Sequence, residues 1–126
     1  MIDRGPIDAW LAACRRAWTT DERDQVAALF TPDVRYFTAP DREPMEGVDA
    51  VLSWWLEMKE SALPWTFAPE VIAQDGGLYV VKAVTHYPQG EGEDRGTAET
   101  FSNLWLVTLA ADGRASEFVE YFMLAE

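Results

Sequence analysis

A chain of 126 residues corresponds to a single domain (1–126), able to bury roughly two thirds of its unfolded surface without a second domain or a linker. Its 48% hydrophobic and 13% aromatic content excludes a disordered polypeptide. A formal charge of -12 with two lysines, Lys59 and Lys82, opposes binding to phosphate backbones or anionic membrane surfaces, so neither nucleic acid nor membrane is expected as a partner.

The acidic residues are densest from Asp41 to Asp49 and in Glu91-Gly-Glu-Asp94. Neither stretch has calcium-loop spacing, and both read as solvated surface. Cys14 is the sole cysteine; it offers no disulfide framework and is expected in the core. The N-terminus lacks a basic region before an apolar run, and no stretch approaches the ~20 apolar residues that span a bilayer. These features predict a soluble, cytoplasmic protein.

In chain order, Gly5-Pro6 opens a helix in which Ile7, Trp10, Leu11, Cys14 and Trp18 recur at helical spacing. Its opposite face carries Asp8, Arg15 and Arg16. A shorter helix, capped near Thr20-Asp21, turns Val26, Leu29 and Phe30 inward and stops at Thr31-Pro32. Val34 to Thr38 reads as a short strand. After the loop from Pro40 to Pro44, Gly47 precedes a third helix with Val48, Val51, Leu52, Trp55 and Met58 on one stripe and Trp54 beside it.

Pro64 ends that helix, and the remainder reads as antiparallel sheet. Strand Trp65 to Gln74 turns at Asp75-Gly-Gly77 into strand Leu78 to Tyr87. Alternation in the second strand places Tyr79, Val81, Ala83, Thr85 and Tyr87 inward, with Lys82 and the lone histidine, His86, outward. A glycine-rich loop from Gln89 to Gly96 leads to a last hairpin, Phe101 to Leu109 and Phe118 to Leu124, about the turn Ala110-Ala-Asp-Gly-Arg114. Helices followed by a strand meander make an α+β domain.

The last hairpin carries the chemistry. Phe101, Asn103, Trp105 and Val107 share one face of its first strand, and Phe118, Glu120 and Phe122 share one face of its second. An amide and a carboxylate thus lie among large apolar side chains, where burial without partners costs roughly several kcal/mol. That placement points to a pocket. Burial of Glu120 among Phe118, Phe122 and Trp105 would raise its pKa toward the range useful for acid/base work. The alternative is a structural carboxylate accepting from Asn103, a tyrosine or an arginine such as Arg16. The outer face is also apolar, through Leu104, Leu106, Val119, Tyr121 and Met123, which predicts a two-fold homodimer packed sheet to sheet. No Ser-His-acid set, metal spacing or phosphate loop is present, so no metal and no cofactor are expected.

The ordered set Leu29-Phe-Thr-Pro-Asp-Val34, Pro44-Met-Glu-Gly47, Asn103-Leu-Trp105, Asp112-Gly-Arg114 and Glu120-Tyr121 resembles the nuclear transport factor 2-like superfamily, in its SnoaL-like (polyketide-cyclase-like) branch. The resemblance covers nearly the whole chain. It implies a cone-shaped, curved, mixed but mainly antiparallel sheet, with three N-terminal helices on its concave face. It also implies a hydrophobic small-molecule ligand and, commonly, a dimer.

The chain departs from the catalytic patterns of that superfamily. Isomerase-like members carry a carboxylate base just before the proline matched by Pro40, where this chain has Thr38 and Ala39. Cyclase and isomerase members place an aspartate at the position of Asn103, whose amide donates a hydrogen bond but cannot shuttle a proton. Epoxide-hydrolase members use two carboxylates bridged by an arginine; Glu120 matches one carboxylate, while Asn103 and Phe101 occupy the other two positions.

The reading that follows is a cofactor-free isomerase, cyclase or dehydratase (lyase) acting on a hydrophobic substrate. Its catalytic candidates are Glu120 as acid/base, with Asn103 and Tyr36 as donors to a substrate oxygen. Trp54, Trp65, Trp105, Phe101, Phe118, Phe122 and Tyr87 would form the binding walls. Whether Tyr36 or Phe37 faces inward stays open, and Tyr36 could equally close the rim of the core. The rival readings are a non-catalytic ligand-binding protein and a dimeric interaction module whose interior is filled by its own aromatics.

Overall fold

A computed structural model describes residues 2–20, 22–58, 66–87 and 99–124. Trp65, the side chain of Tyr87, the loop from Gln89 to Gly96 and the acidic run Glu91 to Asp94 lie outside the described residues. The element order is α1 (Arg4–Thr20), α2 (Arg23–Ala27), β1 (Phe30–Phe37), β2 (Met45–Glu46), α3 (Val48–Met58), β3 (Thr66–Asp75), β4 (Leu78–Tyr87), β5 (Glu99–Leu109) and β6 (Ala115–Leu124).

The strands form one curved, unclosed sheet of order β2-β1-β6-β5-β4-β3. Every pairing is antiparallel except β1 with β6, which is parallel. This is the expected α+β architecture, mixed and mainly antiparallel. The helices lie against the concave face, where rings interlock: Trp10 of α1 meets Trp105 edge-on at 6.5 Å, and Trp18 meets Phe67 and Trp105, each at 5.4 Å. Such pairs add about 0.5–1.5 kcal/mol each beyond the area they bury. Cys14 is buried on the same stripe.

The second helix and first strand differ from the pattern reading. The helix ends at Ala27, Leu29 lies in the turn that follows, and Phe30 opens β1. Both remain buried. The spacing of Val26, Leu29 and Phe30 fits a helix stripe, yet a tight turn into a strand buries the same three residues. Pro32 falls where the β1–β6 register skips, from Phe30↔Ala115 to Arg35↔Glu117. A residue without an N–H fits that interrupted ladder.

The β3–β4 turn is fixed by its glycines. Gly76 takes φ +59, and a Cβ on Gly77 would lie 2.7 Å from the Leu109 carbonyl oxygen. Leu109 N–H donates to the Gly77 carbonyl at 2.8 Å, so this turn locks onto the end of β5. On the convex face Val84, Tyr121 and Met123 are exposed, the last at 72%. Val119, expected in that patch, is instead buried, between Leu106 on β5 and Phe37 on β1. His86 is outward as expected and half-buried, its Nδ1 2.7 Å from the Thr100 hydroxyl.

Candidate functional site

The register of the three central strands assembles the site. Trp105 stands directly opposite Glu120, Asn103 opposite Phe122, and Val107 opposite Phe118. On the other side of β5, Val81 faces Trp105, Ala83 faces Asn103, and Thr85 faces Phe101. All these side chains point to the concave face, so Thr85, Asn103 and Glu120 lie on one diagonal across β4, β5 and β6. Diagonal neighbours are within reach of one another in a twisted antiparallel sheet.

The diagonal is a continuous hydrogen-bond chain. The Thr85 hydroxyl donates to Asn103 Oδ1 at 2.9 Å, and Asn103 Nδ2 donates to Glu120 Oε2 at 3.3 Å. The same carboxylate oxygen accepts from Trp105 Nε1 at 2.6 Å. An indole only donates and a carboxylate only accepts, so the directions are fixed by chemistry. Charge-assisted bonds of this kind are among the stronger ones in proteins.

Burial changes sharply along this face. Trp105 is 1% exposed and stacks on Phe67 at 4.9 Å. Phe118 is also buried, 5.0 Å from Trp105. One step toward the other end, Asn103, Glu120 and Phe101 are half-buried, and Phe122 is 53% exposed while touching Phe101 at 6.1 Å. Glu120 therefore sits where a sealed aromatic floor gives way to an open end.

The structure brings Glu120 and Asn103 together and places Tyr36 inward. Tyr36 is 5% exposed and stacks on Phe118 at 4.6 Å. Phe37, its alternative, is half-buried beneath the Arg35 guanidinium. Trp54 packs against Tyr36 at 5.3 Å. Arg16, considered above as a partner of Glu120, is exposed on α1. Two participants were missed by pattern reading: the Trp105 indole N–H and Thr85. Counting pairs outward from the turn at Asp112-Gly113 places Trp105 opposite Glu120 and would have found the first.

A second concavity lies on the outer side of α1 and α2, lined by Ala12, Arg15, Arg16, Thr19, Thr20 and Gln25. Its hydroxyls are committed locally, Thr19 Oγ1 to the Arg15 carbonyl and Thr20 Oγ1 to the Arg16 carbonyl. Among the described residues no three His, Cys, Asp or Glu side chains converge as a metal site, and no helix is long and apolar enough to cross a membrane.

The chain belongs to the SnoaL-like domain family, which matches residues 8–118. Its fold is similar to that of SalBIII, an epoxide hydrolase/cyclase-like enzyme in pyran ring formation in the polyether salinomycin. That match has a TM-score of 0.75, 16% identity, and coverage of 98% of this chain and 95% of the other. It is also similar to an LEH-like epoxide hydrolase of Mycobacterium tuberculosis, with TM-score 0.65, 15% identity and 91% and 80% coverage. A Shewanella putrefaciens protein assigned to the SnoaL-like polyketide cyclases gives TM-score 0.72, 17% identity and 90% and 77% coverage. At these identities the likeness is one of fold. No curated protein sequence matches the chain significantly.

Proposed function

We propose that this SnoaL-like protein binds a hydrophobic small molecule at the open end of the concave face and performs cofactor-free acid/base chemistry on it, as an isomerase, cyclase or dehydratase. The observation that carries this reading is the Glu120 carboxylate, half-buried and held through one oxygen by Trp105 Nε1 and Asn103 Nδ2. A carboxylate oriented by fixed donors beside an apolar surface meets the geometric demand on a general base. Glu120 takes a proton from the substrate and returns it at another atom. Asn103 donates its second amide hydrogen to the oxygen of the bound substrate, and Tyr36 is the donor to that oxygen once it carries charge. Phe101 and Phe122 supply the walls nearest the opening, above a floor of Trp105 and Phe118, with Trp54 backing Tyr36.

The test is to incubate the protein in D₂O with a panel of hydrophobic enolisable ketones, β-hydroxy ketones and epoxides, and to follow mass change and deuterium uptake. Wild type converts or labels at least one member, and Glu120→Gln slows this by about a hundredfold or more at unchanged melting temperature. Equal rates in both proteins would remove Glu120 from the chemistry. A second reading, a dimeric interaction module, is favoured by the interior being packed with the protein's own rings. It is the outcome if no panel member binds, whereas a member that binds and returns unlabelled marks a non-catalytic ligand-binding protein.

We further propose that the convex face forms a homodimer. Val84, Tyr121 and Met123 are exposed there, flanked by half-buried Leu104 and Leu106, and an apolar patch of this kind favours self-association. Met123→Glu should convert dimer to monomer in analytical ultracentrifugation, and a monomeric wild type would end this part of the proposal.

A further inference from the structure

The middle of the Thr85–Asn103–Glu120 chain is a group that can face either way. With Glu120 ionised, one arrangement satisfies every member. The carboxylate only accepts, so Asn103 turns Nδ2 toward it at 3.3 Å, and Oδ1 then faces the Thr85 hydroxyl, which donates at 2.9 Å. When Glu120 carries its proton on Oε2, the oxygen that faces Asn103, it becomes a donor to that amide, and the satisfied arrangement is the reverse. Glu120 O–H then donates to Asn103 Oδ1, and Asn103 Nδ2 donates to Thr85 Oγ1. A hydroxyl serves both states because it donates in one and accepts in the other. Trp105 Nε1, a donor in either state, stays on the carboxyl oxygen through its remaining lone pair. Thr85 is 6% exposed, and a buried hydroxyl that loses its partner is costly.

We infer that Thr85 is a positioning residue, and that the Thr85–Asn103 pair reverses the Asn103 side-chain amide in step with the proton on Glu120. No covalent bond breaks within the pair: the hydroxyl hydrogen rotates and the amide turns about its Cβ–Cγ bond. The proton on Glu120 comes from substrate, which keeps the electron pair. The importance of the reversal for turnover rests on the acid/base reading of Glu120, but the reversal itself does not.

Among the described side chains, the other ionisable groups turned toward this interior are Cys14 on α1, Tyr36 on β1 and Tyr79 on β4, all buried. Arg15 and Arg16 of α1 and Asp49 and Glu57 of α3 are exposed. A change at Asn103 that follows the midpoint of Glu120 therefore reports Glu120.

The experiment is an NMR titration of the wild-type protein. Side-chain carboxyl carbon shifts locate the Glu120 midpoint, and nuclear Overhauser contacts of the Asn103 amide protons are recorded on either side of it. Above the midpoint these protons should contact the Trp105 indole N–H; below it those contacts should be replaced by contacts to the Thr85 methyl and β protons. An unchanged contact set through the titration overturns the inference, as does a switch that persists undiminished in Thr85→Val. In the turnover assay, Thr85→Val should lower kcat about tenfold, the value of roughly one hydrogen bond, at constant KM, and Thr85→Ser should restore it. If the switch occurs and depends on Thr85 while Glu120→Gln turns over normally, the acid/base reading fails and the positioning role stands. If Glu120→Gln is inactive and no switch occurs, the converse holds.

Discussion

At one end of the concave sheet face, Tyr79, Val107 and Phe118 share a core with almost no exposed surface, where Trp10 meets Trp105 and Phe118. A few residues along the same strands, Asn103, Glu120 and Phe122 take the same inward orientation and remain half-buried or exposed. Strand parity is identical at both ends, so orientation does not separate core from site. The helices do: where Trp10 and Trp18 overlie the sheet the face is dry, and beyond them polar groups survive because they bond to one another.

The comparison is broken most severely at the boundary. Trp105→Ala should cost about 3–5 kcal/mol in urea unfolding, because it removes a sealed ring and also a donor to Glu120; a loss near that of an exposed aromatic would mean that the floor is not sealed. Phe122→Ala, on the open side, should leave stability within about 1 kcal/mol of wild type while weakening a bound ligand roughly tenfold, as measured by calorimetry.

The smallest effect is expected at the turn beyond the sealed end. There the Asp112 carboxyl is held below its usual 3.8 by hydrogen bonds from the Arg114 side chain and backbone N–H. A lowered folded pKa contributes stability above the unfolded value, which is lost as pH falls through the folded one. Asp112→Asn should therefore be slightly less stable than wild type at neutral pH and equal to it in strong acid; a difference that persists in acid would assign the effect to the turn backbone.

Much of this was legible in the sequence, for reasons that can be stated residue by residue. Strand β4 was read with its observed bounds, since Tyr79, Val81, Ala83 and Thr85 alternate without interruption and all four are buried. The end of α2 was not, because helix and turn-then-strand bury Val26, Leu29 and Phe30 alike. The pairing of β1 with β6 has no local signature, because it joins residues from opposite ends of the chain. At the site, Glu120 and Asn103 stood out as polar residues in apolar company. Their partners did not: Thr85 belongs to another hairpin, and Trp105 looks like a wall until register shows its N–H pointed at a carboxylate.

The parallel pairing of β1 with β6 also bears on how the molecule comes to be active. It joins residues such as Arg35 and Glu117, 82 positions apart along the chain. Contacts of such long sequence separation form late and slowly, after the local hairpins. Strand β6 lies between β1 and β5, but the Thr85–Asn103–Glu120 chain runs across the consecutive strands β4, β5 and β6 with its bonded members 15 to 18 positions apart, so it assembles with the local hairpins. The late arrival of β1 then brings Tyr36 over Phe118 and completes the wall beside a polar chain already formed.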